Sequence, residues 1–297
     1  MSNVEGLVST DYEGRKLIRF LREVLLLSES AIRRAKWNGR LLVNGEAARV
    51  NGLLRAGDRV TVLAERSQPA YQVRPYELRL NIPWRSDDLL IVDKPAPLAS
   101  QSGKGHPDDS LENALFSELG CPADYVYRPV NRLDKGTSGL MAVALSAHEQ
   151  ARLQRLLHTD SFQREYLAVT EGLPPQDAGR IDLPIAKENG PTIRRVVAPD
   201  GRPCVTRYQV LRKAGSRALL SLRLETGRTH QIRVHLASLG CPVVGDFLYG
   251  TETEELPGRF ALHSSVIRFP DRNGAQVEIV SPLPAELEAL LDGVSEP

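Results

Sequence analysis

The chain has 297 residues, 41% of them hydrophobic and 25% charged. That balance excludes a disordered chain, a collagen or a small disulfide scaffold, and leaves room for about two domains. The 38 Lys+Arg and 37 Asp+Glu nearly cancel to a net charge of +1, so no global field announces a polyanionic partner. The distribution is uneven, with 12 Lys+Arg against 8 Asp+Glu in residues 1–66 and 26 against 29 in residues 67–297, a basic module on a slightly acidic body.

In residues 15–27, Leu17, Phe20, Leu21, Val24 and Leu25 recur at intervals of three and four with charges between them, which predicts an amphipathic helix. Ser28 is placed to cap a second helix through ESAIRRAKWN. Asn38-Gly39 would stop that helix, and Arg33, Arg34, Lys36 and Arg40 fall on or just after it. RLLVNGEAARV reads as a strand, a tight Asn44-Gly45 turn and a strand. A turn at Ala56-Gly57-Asp58 then leads into the strand RVTVL. Two helices and a small sheet would make residues 1–66 one module.

From Ala64 to Pro75 periodicity is lost and two prolines occur, so residues 67–75 are read as a linker to a second domain at 76–297. In that domain ELRLNI, LLIVDKP, LMAVALS, EYLAVTEG, VTRYQVL, ALLSLRLET and QVEIVS are strand-like. SLENALFSEL and HEQARLQRLLHT are helical. Strands in runs with a few inserted helices predict an α+β fold on a large mixed, mostly antiparallel sheet.

Cys121, Cys204 and Cys241 stand far apart with no Cys-x-x-Cys spacing, so neither a disulfide framework nor a zinc site is expected, and a reducing cytoplasm is the simplest home. There is no basic-then-apolar signal pattern. Apolar runs such as Val24–Leu27 fall far short of the roughly 18 residues of a membrane helix, so a soluble protein is expected. SGKGH at 102–106 is not a phosphate loop, and no Gly-x-Gly-x-x-Gly or Gly-x-Ser-x-Gly element occurs. His230 and His235 lack close ligand partners and read as surface or core histidines. Neither a metal nor a cofactor is expected.

Two segments can carry chemistry. In Arg132-Leu133-Asp134-Lys135-Gly136-Thr137-Ser138-Gly139 a carboxylate stands between cations in a Gly/Ser/Thr-rich turn, directly before a strand. Two readings are open: a reactive group displayed on a rigid edge, or a turn residue paired with Lys135. In the second segment, from Glu225 to Leu236, Thr229 is placed to cap a helix ending at Gly240. Arg233 would lie in the first turns of that helix, where it can meet a phosphate or a carboxylate.

The runs NRLDKGTSGLMAVA, REYLAVTEG, TGRTHQIRVHLASLGCPVVGDFLYG and FALHSSVIRF…IVSPLP occur in order along the chain. Together they resemble the successive motifs of the RluA/RluD-like family of RNA pseudouridine synthases. Residues 1–66 resemble the alpha-L RNA-binding module named after ribosomal protein S-four. The resemblance implies isomerisation of specific uridines in structured RNA, ribosomal RNA favoured over transfer RNA, with the target nucleotide flipped out of its stack. It implies Asp134 as nucleophile, attacking either the ribose C1′ or the base, and Arg233 as the cation beside it. Tyr166 would face the uracil and take part in proton transfer at C5. Arg132 would fill the space the nucleotide vacates or contact a phosphate.

On the same reading Arg33, Arg34 and Lys36 touch RNA backbone, and the enzyme is a cytoplasmic monomer needing no protein partner. Asn131, Arg164 and Pro97 depart from the common His, Lys and Gly of the family motifs, which bears on substrate preference more than on chemistry. Two rivals are an RNA-binding protein without turnover and an aspartate-dependent hydrolase. The hydrolase would need a second facing carboxylate, which the Asp134 loop does not offer.

Overall fold

A computed structural model of the chain describes residues 3–27, 29–63, 73–103, 105–157 and 159–292. Ser28, expected to cap the second helix, and residues 67–72 of the expected linker lie outside the described residues. The first elements are β1 (Val4–Leu7), α1 (Leu17–Glu23), α2 (Glu29–Trp37), β2 (Leu41–Val43), β3 (Glu46–Ala47) and β4 (Arg59–Val62). The four strands form an antiparallel sheet in the order β1-β4-β2-β3.

The expected turn is present. Asn44 and Gly45 both have positive φ (53° and 84°), the backbone of a type I′ hairpin. The Asn44 side chain fastens the turn to β4, accepting from the Arg59 N–H at 2.8 Å and donating to Asp58 at 2.8 Å. β1 is absent from the sequence reading because four residues of half-exposed VEGL carry almost no pattern. α1 ends at Glu23, short of the expected Leu27, because the chain turns away and Leu26 takes a φ of 54°. Leu17, Phe20, Leu21, Leu25, Ile32, Leu41, Leu54 and Val60 form this region's own core.

The rest of the chain runs β5 (Asn81–Arg85), β6 (Leu89–Lys94), α3 (Leu111–Glu118), β7 (Ser138–Ala144), α4 (Ala147–Leu156), β8 (Gln163–Glu171), β9 (Ala178–Asp182), β10 (Ile185–Lys187), β11 (Arg195–Val197), β12 (Val205–Ala214), β13 (Arg217–Leu224), α5 (Gln231–Ser238), β14 (Leu262–Pro270), β15 (Gln276–Val280) and α6 (Ala285–Glu288). β10 and β11 pair as a separate hairpin. The other strands make one sheet in the order β5-β6-β7-β14-β8-β13-β12-β9, with β15 also on β14. Pairing is antiparallel except between β7 and β14, so the α+β expectation of a large mixed, mostly antiparallel sheet holds.

β6 and β7 read as unbroken apolar runs because both their faces are covered. Leu90, Val92, Met141 and Val143 enter one core, while Leu89, Ile91, Leu140 and Ala142 enter another. Two expectations shift. The ladder of β5 begins at Asn81 rather than Glu77 and includes Pro83, which an edge strand tolerates because its outer N–H has no ladder partner. β14 carries no strand pattern in the sequence because His263, Ser264 and Ser265 interrupt its apolar residues. Those buried groups find partners across the sheet, His263 Nδ1 with Ser138 Oγ at 2.9 Å and Nε2 with Ser281 Oγ at 3.1 Å.

Candidate active site

The segment Arg128–Asn131 folds back along β7, with Val130 N–H donating to Ala142 O at 2.8 Å and the Asn131 side chain accepting from Ala142 N–H at 2.9 Å. Residues 132–137 are therefore the return loop that delivers the chain to Ser138, beside the parallel junction of β7 with β14. Ser100 Oγ donates to Leu133 O at 2.6 Å. The fully buried Lys94 ammonium donates to Leu98 O at 2.8 Å and reaches Lys135 O at 3.4 Å. Side-chain and backbone bonds on both sides of Asp134 thus fix a loop that has no regular structure of its own.

Two glycines are required. At Gly139, φ is +104° and a Cβ would stand 2.3 Å from Ser264 O on β14; at Gly136 it would stand 2.6 Å from the Phe260 ring.

Asp134 borders a cavity of about 300 Å³ that also takes in Asn131, Arg132, Arg164, Tyr166, His230 and Arg233. Its carboxylate is 29% exposed and accepts a hydrogen bond from Arg233 Nη1 at 2.8 Å. Arg233, in the first turn of α5, is itself buried and is gripped from behind by Asp246, with Nε–Oδ2 at 2.7 Å and Nη2–Oδ1 at 2.8 Å. Its guanidinium lies 4.1 Å from the Phe260 ring centroid and 5.0 Å from that of Tyr249. One cation is thus clamped edge and face, leaving one N–H pair directed at Asp134.

The two chemistry-bearing segments, 99 residues apart at Asp134 and Arg233, therefore meet, and the carboxylate-partner reading of Arg233 stands over the phosphate one. The bond to Arg233 also removes the Lys135 pairing as an account of Asp134. Thr229 does not cap α5: the N-cap position is His230, in the left-handed region at φ 58°. The anchoring falls to Gln231, whose Oε1 accepts from Arg228 N–H at 2.9 Å and whose Nε2 donates to Val205 O at 3.0 Å. An amide can accept and donate at once, which the Thr229 hydroxyl could not do over this span.

Tyr166 is central in β8, opposite Leu222 on one side and Ser264 on the other, with its ring 5% exposed. Burial pushes its hydroxyl pKa upward, Arg164 opposes this and Asp134 adds to it, so the phenol is neutral. Arg132 is exposed at the rim. Two buried polar atoms at the cavity, Asn131 Nδ2 and Arg164 Nε, have no hydrogen-bond partner among the described residues. Arg33, Arg34 and Lys36 are exposed on α2 and do not reach this cavity; Arg34 instead lines a crevice facing Tyr127, His148 and Ala151.

Sequence reasoning missed three groups. Asp246 is a second carboxylate of the site, but it is fully buried and accepts four hydrogen bonds, from Arg233 twice and from the N–H groups of Leu248 and Tyr249. It is thus occupied as an anchor for Arg233, which leaves the hydrolase rival without a facing carboxylate. Lys94 stood inside an apolar strand, where nothing marked it as a support for the loop. His230 is neither a surface nor a core histidine: it lines the cavity with Nε2 3.9 Å from Asp134 Oδ2. Only their nearness to two motif residues separates them from ordinary residues. His235 is the core histidine expected, bonded to Thr206 Oγ1 at 2.8 Å and Leu183 O at 3.0 Å. Among the described residues no group of three His, Cys, Asp or Glu could hold a metal ion, and no helix is long and apolar enough to cross a membrane.

A family model described as RNA pseudouridylate synthase matches residues 88–238, a span that contains Asp134, Tyr166 and Arg233. The chain is 35% identical to ribosomal large subunit pseudouridine synthase D of Xanthomonas campestris, over 98% of this chain and 92% of that one. It is 33% identical to the protein of that name in Escherichia coli, over 96% and 92%. A Bacillus subtilis relative named uncharacterized RNA pseudouridine synthase YlyB is 33% identical over 99% of both chains. Among solved structures, human RNA pseudouridylate synthase domain containing 1 superposes with a TM-score of 0.59 at 26% identity, covering 74% of this chain and 97% of that one.

Proposed function

This chain belongs to the RNA pseudouridylate synthase family, which isomerises uridine in RNA to pseudouridine, and from that membership we propose that Asp134 is the nucleophile, Arg233 the cation that aims it and Tyr166 the residue facing the uracil. The observation that carries the assignment is the Asp246–Arg233–Asp134 chain of hydrogen bonds. It holds one carboxylate at the cavity in a fixed orientation, as covalent catalysis requires.

Arg132, exposed at the rim, suits the space left by a flipped nucleotide. Residues 1–66 with their own core are assigned as the alpha-L RNA-binding module, in which Arg33, Arg34 and Lys36 contact phosphates, and residues 76–297 as the catalytic domain. The substrate is assigned to ribosomal RNA of the large subunit, after the names of the bacterial relatives, and the enzyme is read as cytoplasmic to match. A monomer acting without a protein partner completes the reading.

The test is tritium release from large-subunit ribosomal RNA transcribed with 5-tritiated uridine, since isomerisation must displace the C5 hydrogen. Release by the wild type and none by Asp134→Ala is expected. No release by a wild type that binds the RNA would leave an RNA-binding protein without turnover, and release by Asp134→Ala would remove Asp134 as nucleophile.

A further inference from the structure

His230 stands between two groups that fix what it can do. The backbone N–H of Arg195, at the start of β11, donates to Tyr249 Oη at 2.8 Å, and Tyr249 Oη lies 2.7 Å from His230 Nδ1. A backbone N–H can only donate, so Oη is the acceptor there and its single proton is available for Nδ1. The other tautomer would crowd a second donor onto Oη and turn the hydroxyl proton away. The network therefore assigns Nδ1 as acceptor and leaves the ring hydrogen on Nε2, the nitrogen 3.9 Å from Asp134 Oδ2. That spacing is long for a hydrogen bond to the carboxylate itself. It does put Nε2–H within reach of an atom that contacts Oδ2 on the side facing His230.

We propose that His230, locked by Tyr249 as the neutral Nε2–H tautomer, is a further hydrogen-bond donor of the active site, directed at an oxygen of the target nucleotide as it meets Asp134. The inference rests on the pseudouridine reading and names a group that reading leaves out. Isomerisation breaks the N1–C1′ bond and forms C5–C1′; N1 gains a proton, C5 loses one, and no oxidant or reductant is needed. While the uracil is detached it carries the N1–C1′ electron pair, whose charge spreads onto its carbonyl oxygens. A fixed, largely buried N–H beside the nucleophile stabilises that charge without reorganising. Burial lowers the pKa of the imidazole; Asp134 and Asp246 press the other way, and Arg233 and Arg195 press the same way as burial, so the ring is neutral at pH 7. Protonation would place an imidazolium against the Asp134 carboxylate and draw it from the reacting atom.

Single-turnover tritium release at saturating ribosomal RNA, with RNA affinity measured separately by filter binding, tests this on the full chain. His230→Ala is expected to slow release on the order of 10²-fold with affinity within twofold of wild type. His230→Gln, which restores an N–H at similar reach, recovers most of the rate. Ala and Gln share the same left-handed backbone strain at this position, so their difference isolates the donor. Tyr249→Phe removes the proton given to Nδ1, raises the histidine pKa and moves the acid limb of the rate profile to higher pH.

A His230→Ala rate within twofold of wild type would overturn the proposal. So would a loss carried wholly by RNA affinity, or a Gln variant as slow as Ala with an unmoved Tyr249→Phe profile. Silence of the wild type refutes the pseudouridine reading itself, and is told apart from these outcomes by the wild-type control.

Discussion

Asp246 does not line the cavity, yet the placement of the Asp134 carboxylate depends on it through Arg233. Its two oxygens hold one edge of a buried guanidinium, Nε and Nη2, in register, and truncation to alanine would leave Arg233 buried with only Asp134 to neutralise it. Breaking such a pair costs about 3–5 kcal/mol, so Asp246→Ala should lower unfolding free energy by that amount in urea titration and abolish tritium release. Tyr166→Phe is a gentler test, because the ring remains in its buried place between β13 and β14. It should leave stability and RNA affinity near wild type while slowing release by about 10²–10⁴-fold, the range for a lost proton-transfer group. At this scale the sequence marked the residues that belong to recognisable motifs, Asp134, Arg132, Tyr166 and Arg233. It did not mark Asp246, Lys94 or His230, whose residue types are common and whose meaning lies in what they touch.

The return loop and β7 show how an element can demand a residue for reasons outside itself. Gly136 in the loop and Gly139 in β7 fail in different ways when a methyl is added. At Gly139 the obstruction is backbone of β14 and φ is +104°, so Gly139→Ala should cost about 1–3 kcal/mol from backbone strain alone, with the clash added. At Gly136 the obstruction is the Phe260 ring, which itself stacks on Arg233. Gly136→Ala should therefore lower the rate of tritium release more than it lowers the melting temperature, since a ring can move but takes the guanidinium packing with it. Strands buried on both faces were legible as apolar runs, and the Asn44-Gly45 hairpin as a turn. β1 and β14 were not, because one is too short and the other pairs its buried polar side chains with distant strands.

Across the whole molecule, titration of Lys94 links the loop to stability. Burial lowers its pKa from 10.5 to about 7, with Asp134 opposing and Arg259 adding to the effect. Between about pH 7 and 10 the unfolded chain keeps a proton that the folded chain has released, so this group makes stability rise with pH; below pH 7 its full penalty applies. Lys94→Met should remove that slope, seen as a smaller gain in unfolding free energy from pH 7 to 9 than the wild type shows.

The basic face of α2 is the second whole-molecule test. Neutralising Arg33, Arg34 and Lys36 together should weaken RNA binding and reduce the slope of log affinity against log salt by about 2–3. Unchanged binding would take residues 1–66 out of the substrate path.

The sequence by itself determined the α+β class, the basic bias of residues 1–66 and the small hairpin, since periodicity, charge and turn chemistry are local properties that one chain carries in its order, while the motif residues were marked by their resemblance to a family. Only the tertiary structure decided that Asp134 and Arg233 share a hydrogen bond, that Asp246 stands behind them and not opposite, and that His230 lies beside Asp134 with Nδ1 against Tyr249 Oη. These facts depend on which strands neighbour one another. β7 meets β14 in parallel, β14 meets β8, and α5 comes to lie against the loop before β7, so groups far apart in the chain are brought within 4 Å. Charge, burial and proton position are then set by neighbours in space, about which residue order alone is silent.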